Sequence, residues 1–178
     1  MRIIAGSRKG HTIHAPKGLD TRPTSDRTRE AAFNLIGPVD GAGVLDLYAG
    51  SGAMGLEALS RGAARAVFVE SDPAACRTIE QNLDRLRLTG AVVVCGDAAR
   101  ALAADAAAGQ RYDLVLVDPP YRLFSDVEPL LSRYVPAVLT EDGIVVVETS
   151  EREEPELALP KRTSRRYGSA RLTVFEAP

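Results

Sequence analysis

A chain of 178 residues is long enough for one domain with a sizeable core and too short for a second large one. With 45% hydrophobic and 26% charged residues the composition is that of an ordinary globular protein. No apolar run approaches membrane length, and the polar, basic start lacks the apolar core of an export signal, so a cytoplasmic protein is expected. The net charge of −2 hides a segregation: residues 1–30 carry seven basic against three acidic side chains, residues 161–178 five against one, and residues 31–160 ten against twenty. Basic arms around an acidic middle imply a polyanionic partner.

From the amino end, Arg2-Ile3-Ile4-Ala5-Gly6 and Thr12-Ile13-His14-Ala15 read as two short strands around the basic turn Ser7-Arg8-Lys9-Gly10, a hairpin too small to be stable alone. Residues 16–24, punctuated by Pro16, Gly18 and Pro23, predict an extended connector. Ser25 is placed to cap a helix reaching Ile36, with Ala31, Leu35 and Ile36 on its buried face and Gly37-Pro38 as its stop. Residues 1–24 are therefore expected to form a basic extension, and residues 25–178 the main domain.

Val44-Leu45-Asp46-Leu47-Tyr48 is an apolar, strand-like run that passes straight into Ala49-Gly50-Ser51-Gly52-Ala53-Met54-Gly55 and then into a helix from about Leu56. Gly50, Gly52 and Gly55 have the G-x-G-x-x-G spacing, in which the first glycine permits a tight turn and the second admits a ligand close to the backbone. Residues 66–70 predict a second buried strand ending in Glu70, twenty residues after Gly50. A carboxylate there can accept both hydroxyls of a ribose, so an adenosine-containing cofactor is expected.

Pro73 opens a helix with Ala75, Ile79, Leu83 and Leu86 on its apolar face, and Ala91–Cys95 is a third strand ending at Gly96-Asp97-Ala98. An alanine-rich helix over residues 99–108 leads to a fourth strand, Tyr112 to Asp118, followed at once by Pro119-Pro120-Tyr121. A further helix is expected from about residue 127 to residue 138, with Leu130, Leu131 and Val135 inward, Pro129 in its first turn and Pro136 near its end. A fifth strand over residues 144–148 follows the Asp142-Gly143 turn, and residues 161–167 and 172–176 around Gly168-Ser169 form a closing hairpin. This order predicts an α/β fold with a Rossmann-like doubly wound, mostly parallel sheet and an antiparallel C-terminal edge.

Cys76 and Cys95 are too far apart for a C-x-x-C site and have no His or Cys cluster beside them, so buried free thiols are the expected state. His11 and His14, alone in a basic segment, are expected to be solvated or RNA-facing, and no metal site is assigned.

The tetrad Asp118-Pro119-Pro120-Tyr121 has a chemical reading of its own. Two consecutive prolines restrict the backbone and fix the Pro119 carbonyl beside the Asp118 carboxylate, so that two acceptors face one small donor. The exocyclic amine of a nucleobase fits that pair, and Tyr121 offers a ring on which the base can stack.

With the tetrad in view, the chain resembles the class I S-adenosylmethionine-dependent methyltransferases, in particular the amino-methylating group marked by Asn/Asp/Ser-Pro-Pro-Tyr/Phe. Asp46 with Ala49-Gly50-Ser51-Gly52 matches that fold's first cofactor motif, Glu70 its ribose-binding acid, and Gly96-Asp97-Ala98 its adenine-side loop. Arg2-Ile3-Ile4-Ala5-Gly6, Arg22-Pro23-Thr24-Ser25-Asp26-Arg27 and Phe33-Asn34 resemble, more narrowly, the bacterial RsmD-type family that methylates the N2 amine of one guanine in 16S ribosomal RNA. The resemblance implies S-adenosylmethionine as cofactor, held by Asp46, Ala49, Gly50, Gly52, Glu70, Ser71, Asp97, Ala98 and Thr24. Asp118, Pro119 and Tyr121 become the catalytic group, and 16S rRNA within the small ribosomal subunit becomes the partner.

Phosphate contacts are expected from Arg8, Lys9, Lys161, Arg162, Arg165 and Arg166. Three rivals stay open: an adenine-N6 methyltransferase using the same tetrad, an NAD-dependent dehydrogenase using the same glycines and Glu70, and a non-catalytic RNA-binding module. Spacing alone does not separate guanine from adenine.

Overall fold

The computed structural model describes residues 1–16 and 25–178. Thr24 and most of the expected connector lie outside the described residues. Seven strands form one sheet: β1 (Gly43–Leu47), β2 (Arg65–Glu70), β3 (Ala91–Cys95), β4 (Tyr112–Val117), β5 (Leu139–Ser150), β6 (Lys161–Tyr167) and β7 (Ala170–Glu176). Their order is β3-β2-β1-β4-β5-β7-β6; the first five run parallel, and β7 is antiparallel to both of its neighbours. Because β1 pairs with both β2 and β4, the direction of winding reverses at β1, and a crevice opens outside the carboxyl ends of these strands.

Five helices cover the two faces: α1 (Asp26–Ile36), α2 (Ala53–Ser60), α3 (Pro73–Leu86), α4 (Ala98–Ala107) and α5 (Phe124–Val138). Strand alternation assigns the faces. Val44, Phe68, Leu116 and Val146 pack with Phe33, Leu56 and Ile79 of α1, α2 and α3, whereas Leu45, Leu47, Val115 and Val147 pack with Leu102, Leu131 and Val135 of α4 and α5. Polar side chains fix where the helices begin: Ser25 accepts from the Thr28 N–H, Asp72 from those of Ala74 and Ala75, and Asp97 from that of Arg100.

The amino-terminal hairpin is reduced to one bridge, Arg2 with Thr12, and its turn winds into a single 3-10 turn at Gly6–Arg8. Ile3 and Ile13 insert into the core beneath α1, α2 and α3, which supplies the burial that two short strands cannot supply alone. Glu57 of α2, wholly buried, accepts the N–H groups of Ile4 (2.8 Å) and Ala5 (2.9 Å) and pairs with Arg29 and Arg61.

Four expectations need correction. The buried face of α1 consists of Thr28, Arg29, Ala32, Phe33 and Ile36, with Ala31 and Leu35 only partly covered, because Arg29 points inward to meet Glu57. α5 starts earlier, at Phe124, and keeps both Pro129 and Pro136 inside; the stripe Phe124, Val127, Leu131, Val135 and Val138 against the sheet outweighs two lost backbone bonds. Asp142-Gly143 does not precede β5 but lies within it, in a bulge where pairing steps from Tyr112–Leu139 to Leu114–Ile144. An added Cβ at Gly143 would lie 3.0 Å from the Tyr112 carbonyl oxygen, so the bulge closes too tightly for a larger residue. Finally, Cys76 and Cys95 are joined as a disulfide, with Cα atoms 5.9 Å apart. Cys76 sits in the first turn of α3 and Cys95 ends β3 in register with Glu70, so the β2-α3-β3 crossover brings together residues that are 19 apart in sequence. Cys95 is exposed, not buried. Among the described residues, no helix is long and apolar enough to cross a membrane.

Candidate active site

A cleft of about 1380 Å³ opens along the carboxyl edge of β2, β1, β4 and β5. On the β1–β2 side it is lined by main chain held from behind. Asp46, 3% exposed, accepts from the Gly55 N–H at 2.9 Å and thereby fixes the first turn of α2 to β1. An added Cβ at Gly55 would lie 2.3 Å from Phe68 Cε1 and 3.0 Å from Asp46 Oδ2, so α2 comes this close only with glycine there. Burial pushes the Asp46 carboxyl up to about 8; the Gly55 bond opposes this, while the charges of Asp118 and Glu70 add to it.

Glu70 accepts the Gly50 N–H (2.8 Å) and the Asp72 N–H (2.9 Å), bridging the glycine turn and the start of α3. Each carboxylate oxygen keeps a second lone pair for a ligand hydroxyl. Gly52 takes the left-handed conformation at φ 77°, and Tyr48, without a glycine's freedom, is also at positive φ, 60°. Such a backbone persists only where its surroundings enforce it, and Tyr48 lines the cleft. At Gly50 and Gly96 an added Cβ would meet no protein atom within 4 Å, so the backbone there borders open volume able to receive a ligand. Ala49, Ser71, Asp97 and Ala98 complete this side.

The other side begins at Asp118, directly beyond β4, whose N–H faces the Leu47 carbonyl of β1 at 3.5 Å. Pro119 is buried, and the chain then turns through a short 3-10 segment, Tyr121–Leu123, into α5. Tyr121 and Leu123 stand 41% and 38% exposed at the cleft mouth. Glu148 at the carboxyl end of β5 and the β6–β7 turn, residues 167–170, close the remaining side.

The chain matches, over residues 1–176, the model of a family described as "Conserved hypothetical protein 95". It is 40% identical to "Putative rRNA methyltransferase YlbH" of Bacillus subtilis, across 99% of this chain and 98% of that one. It is 44% identical to "Ribosomal RNA small subunit methyltransferase D" of Escherichia coli, across 68% of this chain and 61% of that protein. The chain belongs to the RsmD family. A solved structure described as "Putative methyltransferase yhhF from Escherichia coli", 34% identical, superposes with a TM-score of 0.83 over 99% of this chain and 97% of the other.

The RsmD-family fold gathers Asp46, Ala49, Gly50, Glu70, Ser71, Asp97, Ala98, Asp118, Pro119 and Tyr121 around one cleft, and Gly52 shapes its glycine turn. Thr24 lies outside the described residues. The basic residues expected to share one surface divide instead. Arg166 lines the cleft, and Lys9 and Arg165 are exposed. Arg8 is turned inward: its guanidinium donates to the carbonyls of Leu86 and Arg87 at the end of α3, which makes it a brace for the hairpin. Lys161 pairs with Glu154 and Glu156, whose hydrogen bonds, that to Glu156 foremost, raise its ammonium pKa. Lys161 and Arg162 stand at the amino end of β6, Lys161 six residues and about 20 Å along the strand from Tyr167.

Sequence reading missed three groups. Arg27 and Arg122 join Arg166 in lining the cleft, but a count by segment hides Arg122 in the acidic middle. His14 is not simply solvated: its backbone N–H donates to Asn82 Oδ1 (3.0 Å), and its ring meets Arg85. Asn82, 1% exposed on α3, also donates to the carbonyls of His14 (2.9 Å) and Ser51 (3.1 Å), linking the amino-terminal segment to the glycine turn. Only its burial at a helical position could have suggested it.

Proposed function

We propose that the chain transfers the methyl group of S-adenosylmethionine to the exocyclic N2 amine of a guanine in 16S rRNA, acting in the cytoplasm on the small ribosomal subunit. The observation that carries this reading is the meeting of the Gly50–Glu70 cradle and the Asp118-Pro119 acceptor pair in one cleft. Family membership and the names of the relatives, which include an rRNA small subunit methyltransferase, support the reaction class. A dehydrogenase would leave the tetrad without a purpose.

When bound, the cofactor supplies a methyl group already activated on sulfonium sulfur, so the protein's task is alignment. Glu70 holds a ribose through its hydroxyls, the glycine turn receives the chain of the cofactor against its backbone, and Asp97 and Ala98 flank the adenine side. Asp118 and the Pro119 carbonyl accept the two hydrogens of the target amine, whose lone pair is otherwise delocalised into the ring. Held in this way, the nitrogen becomes pyramidal, its developing positive charge meets two acceptors, and the one amine proton lost when the N–CH3 bond replaces the S–CH3 bond leaves by way of Asp118 to solvent. Tyr121, exposed at the mouth, stacks on the base, which must come from a loop or be flipped out of its helix to arrive there. Arg27, Arg122 and Arg166 at the cleft, with Lys9 and Arg165 beyond it, contact phosphates. The deciding experiment is transfer of labelled methyl to small subunits that lack modifications, followed by nucleoside digestion. N2-methylguanosine is expected; N6-methyladenosine or the absence of transfer would overturn the proposal.

A further inference from the structure

The two bases able to present an exocyclic amine to Asp118 and Pro119 differ at the neighbouring ring nitrogen. Guanine carries an N1–H beside its N2 amine, whereas adenine carries an N1 lone pair beside its N6 amine. A group that adjoins the amine acceptors and can only accept would tell them apart. An ionised carboxylate is such a group.

Glu148 has that position. The parallel register pairs Leu116 with Val146 and Val117 with Val147 at the end of β4, and carried one step past that end it sets Asp118 across from Glu148, at about the 4.8 Å spacing of neighbouring strands. Leu116 and Val146 belong to the core under α1, α2 and α3. By alternation Asp118 and Glu148, two residues further along each strand, share that face. Asp46 lies there too, since its carboxylate reaches Gly55 of α2. Glu148 is half-buried and lines the same cleft as Asp118 and Tyr121.

We propose that Glu148 is the specificity-determining residue: it accepts the guanine N1–H while Asp118 and the Pro119 carbonyl accept the N2 hydrogens, and it opposes the N1 lone pair of adenine. The inference rests on the methyltransferase reading above and answers what the tetrad alone leaves open. Leaving a charged acceptor against a lone pair is a stronger filter than losing one contact.

The test uses the full chain with small-subunit RNA that carries guanine, adenine or 1-methylguanosine at the target position, with nucleoside analysis of the product. The wild type is expected to form N2-methylguanosine and to leave the adenine RNA unmodified. A wild type that forms no methylated guanine defeats the reaction assignment itself, and this residue's role with it. Given the guanine product, Glu148→Gln, whose amide can accept or donate, is expected to lower guanine kcat/KM roughly ten- to a hundredfold, to raise transfer to adenine, and to keep S-adenosylhomocysteine affinity within about twofold. Guanine kcat/KM at the wild-type level, with adenine still refused, would overturn the inference. The wild type on 1-methylguanosine RNA needs no variant: loss of transfer is expected, and transfer at the guanine rate would overturn the proposal.

Discussion

Around β1 and β2 the cleft is lined by main chain whose place is set from beneath: Asp46 holds Gly55, Glu70 holds Gly50 and Asp72, and Asn82 holds the Ser51 carbonyl. Around β4, β5 and the β6–β7 turn the lining is side chain, exposed in Tyr121, Leu123, Arg122 and Arg166 at the mouth and half-buried in Asp118 and Glu148. The first arrangement suits a small ligand met by a preorganised surface. The second suits a large polymer, which brings contacts of its own and arranges the side chains it meets. The same sheet edge thus offers surfaces suited to two kinds of recognition.

The largest effect is expected where the first side is anchored. Glu57→Ala removes the acceptor of two N–H groups and leaves the fully buried Arg29 without that carboxylate, and unfolding in denaturant is expected to show a loss of about 3–5 kcal/mol. A loss below about 1 kcal/mol would mean that Ile3, Ile13 and the contacts of Arg8, Ser60 and Asn82 hold the hairpin without Glu57. Next comes Gly55→Ala, which forces α2 away from Phe68 and is expected to cost about 1–3 kcal/mol in stability and to weaken cofactor binding, with the RNA contacts unaltered. Equal losses of cofactor and RNA affinity would break the division between the two sides. On the second side, Tyr121→Ala is expected to raise the KM for RNA about tenfold, the scale of one base-stacking contact, with cofactor affinity unchanged. Unchanged RNA saturation would remove its stacking role.

A further prediction concerns pH. Asp46 titrates at about 8 in the folded chain against 3.8 in an ordinary carboxyl, so the folded state binds the proton more tightly. Its contribution is fully present below pH 4 and is lost as the pH rises to about 8, so stability is expected to fall across that window. Asp46→Asn is expected to flatten the fall in a denaturation series across that range. A slope unchanged by the substitution would show that Asp46 is ionised throughout.

Which parts were legible in the sequence follows from the same contrast. Most residues of the first side lie close together in the chain, between Gly43 and Asp72, with Gly96, Asp97 and Ala98 added at the end of β3, and their strands, turns and carboxylates follow local rules of period, glycine spacing and strand ends. The five parallel strands and the closing hairpin were readable for that reason. Glu57, Arg29, Asn82 and the Cys76–Cys95 bond were not, because each depends on a partner brought near by the crossovers. Arg8 and Lys161 look like free cations until the end of α3 and the Glu154–Glu156 pair are in place. The bulge in β5 escaped notice because Asp142-Gly143 is an ordinary turn signal, and only the pairing with β4 keeps it inside the strand.

The most direct measurement of the central claim is a paired one on Asp118→Ala: single-turnover methyl transfer to unmodified small subunits, and cofactor affinity by calorimetry on the same preparation. Transfer is expected to fall about 10²–10³-fold, as for loss of one group that stabilises developing charge, while affinity stays within about twofold. A comparable loss of cofactor affinity, or transfer at the wild-type rate, would contradict a cleft in which Asp118 serves the amine and the β1–β2 side serves the cofactor.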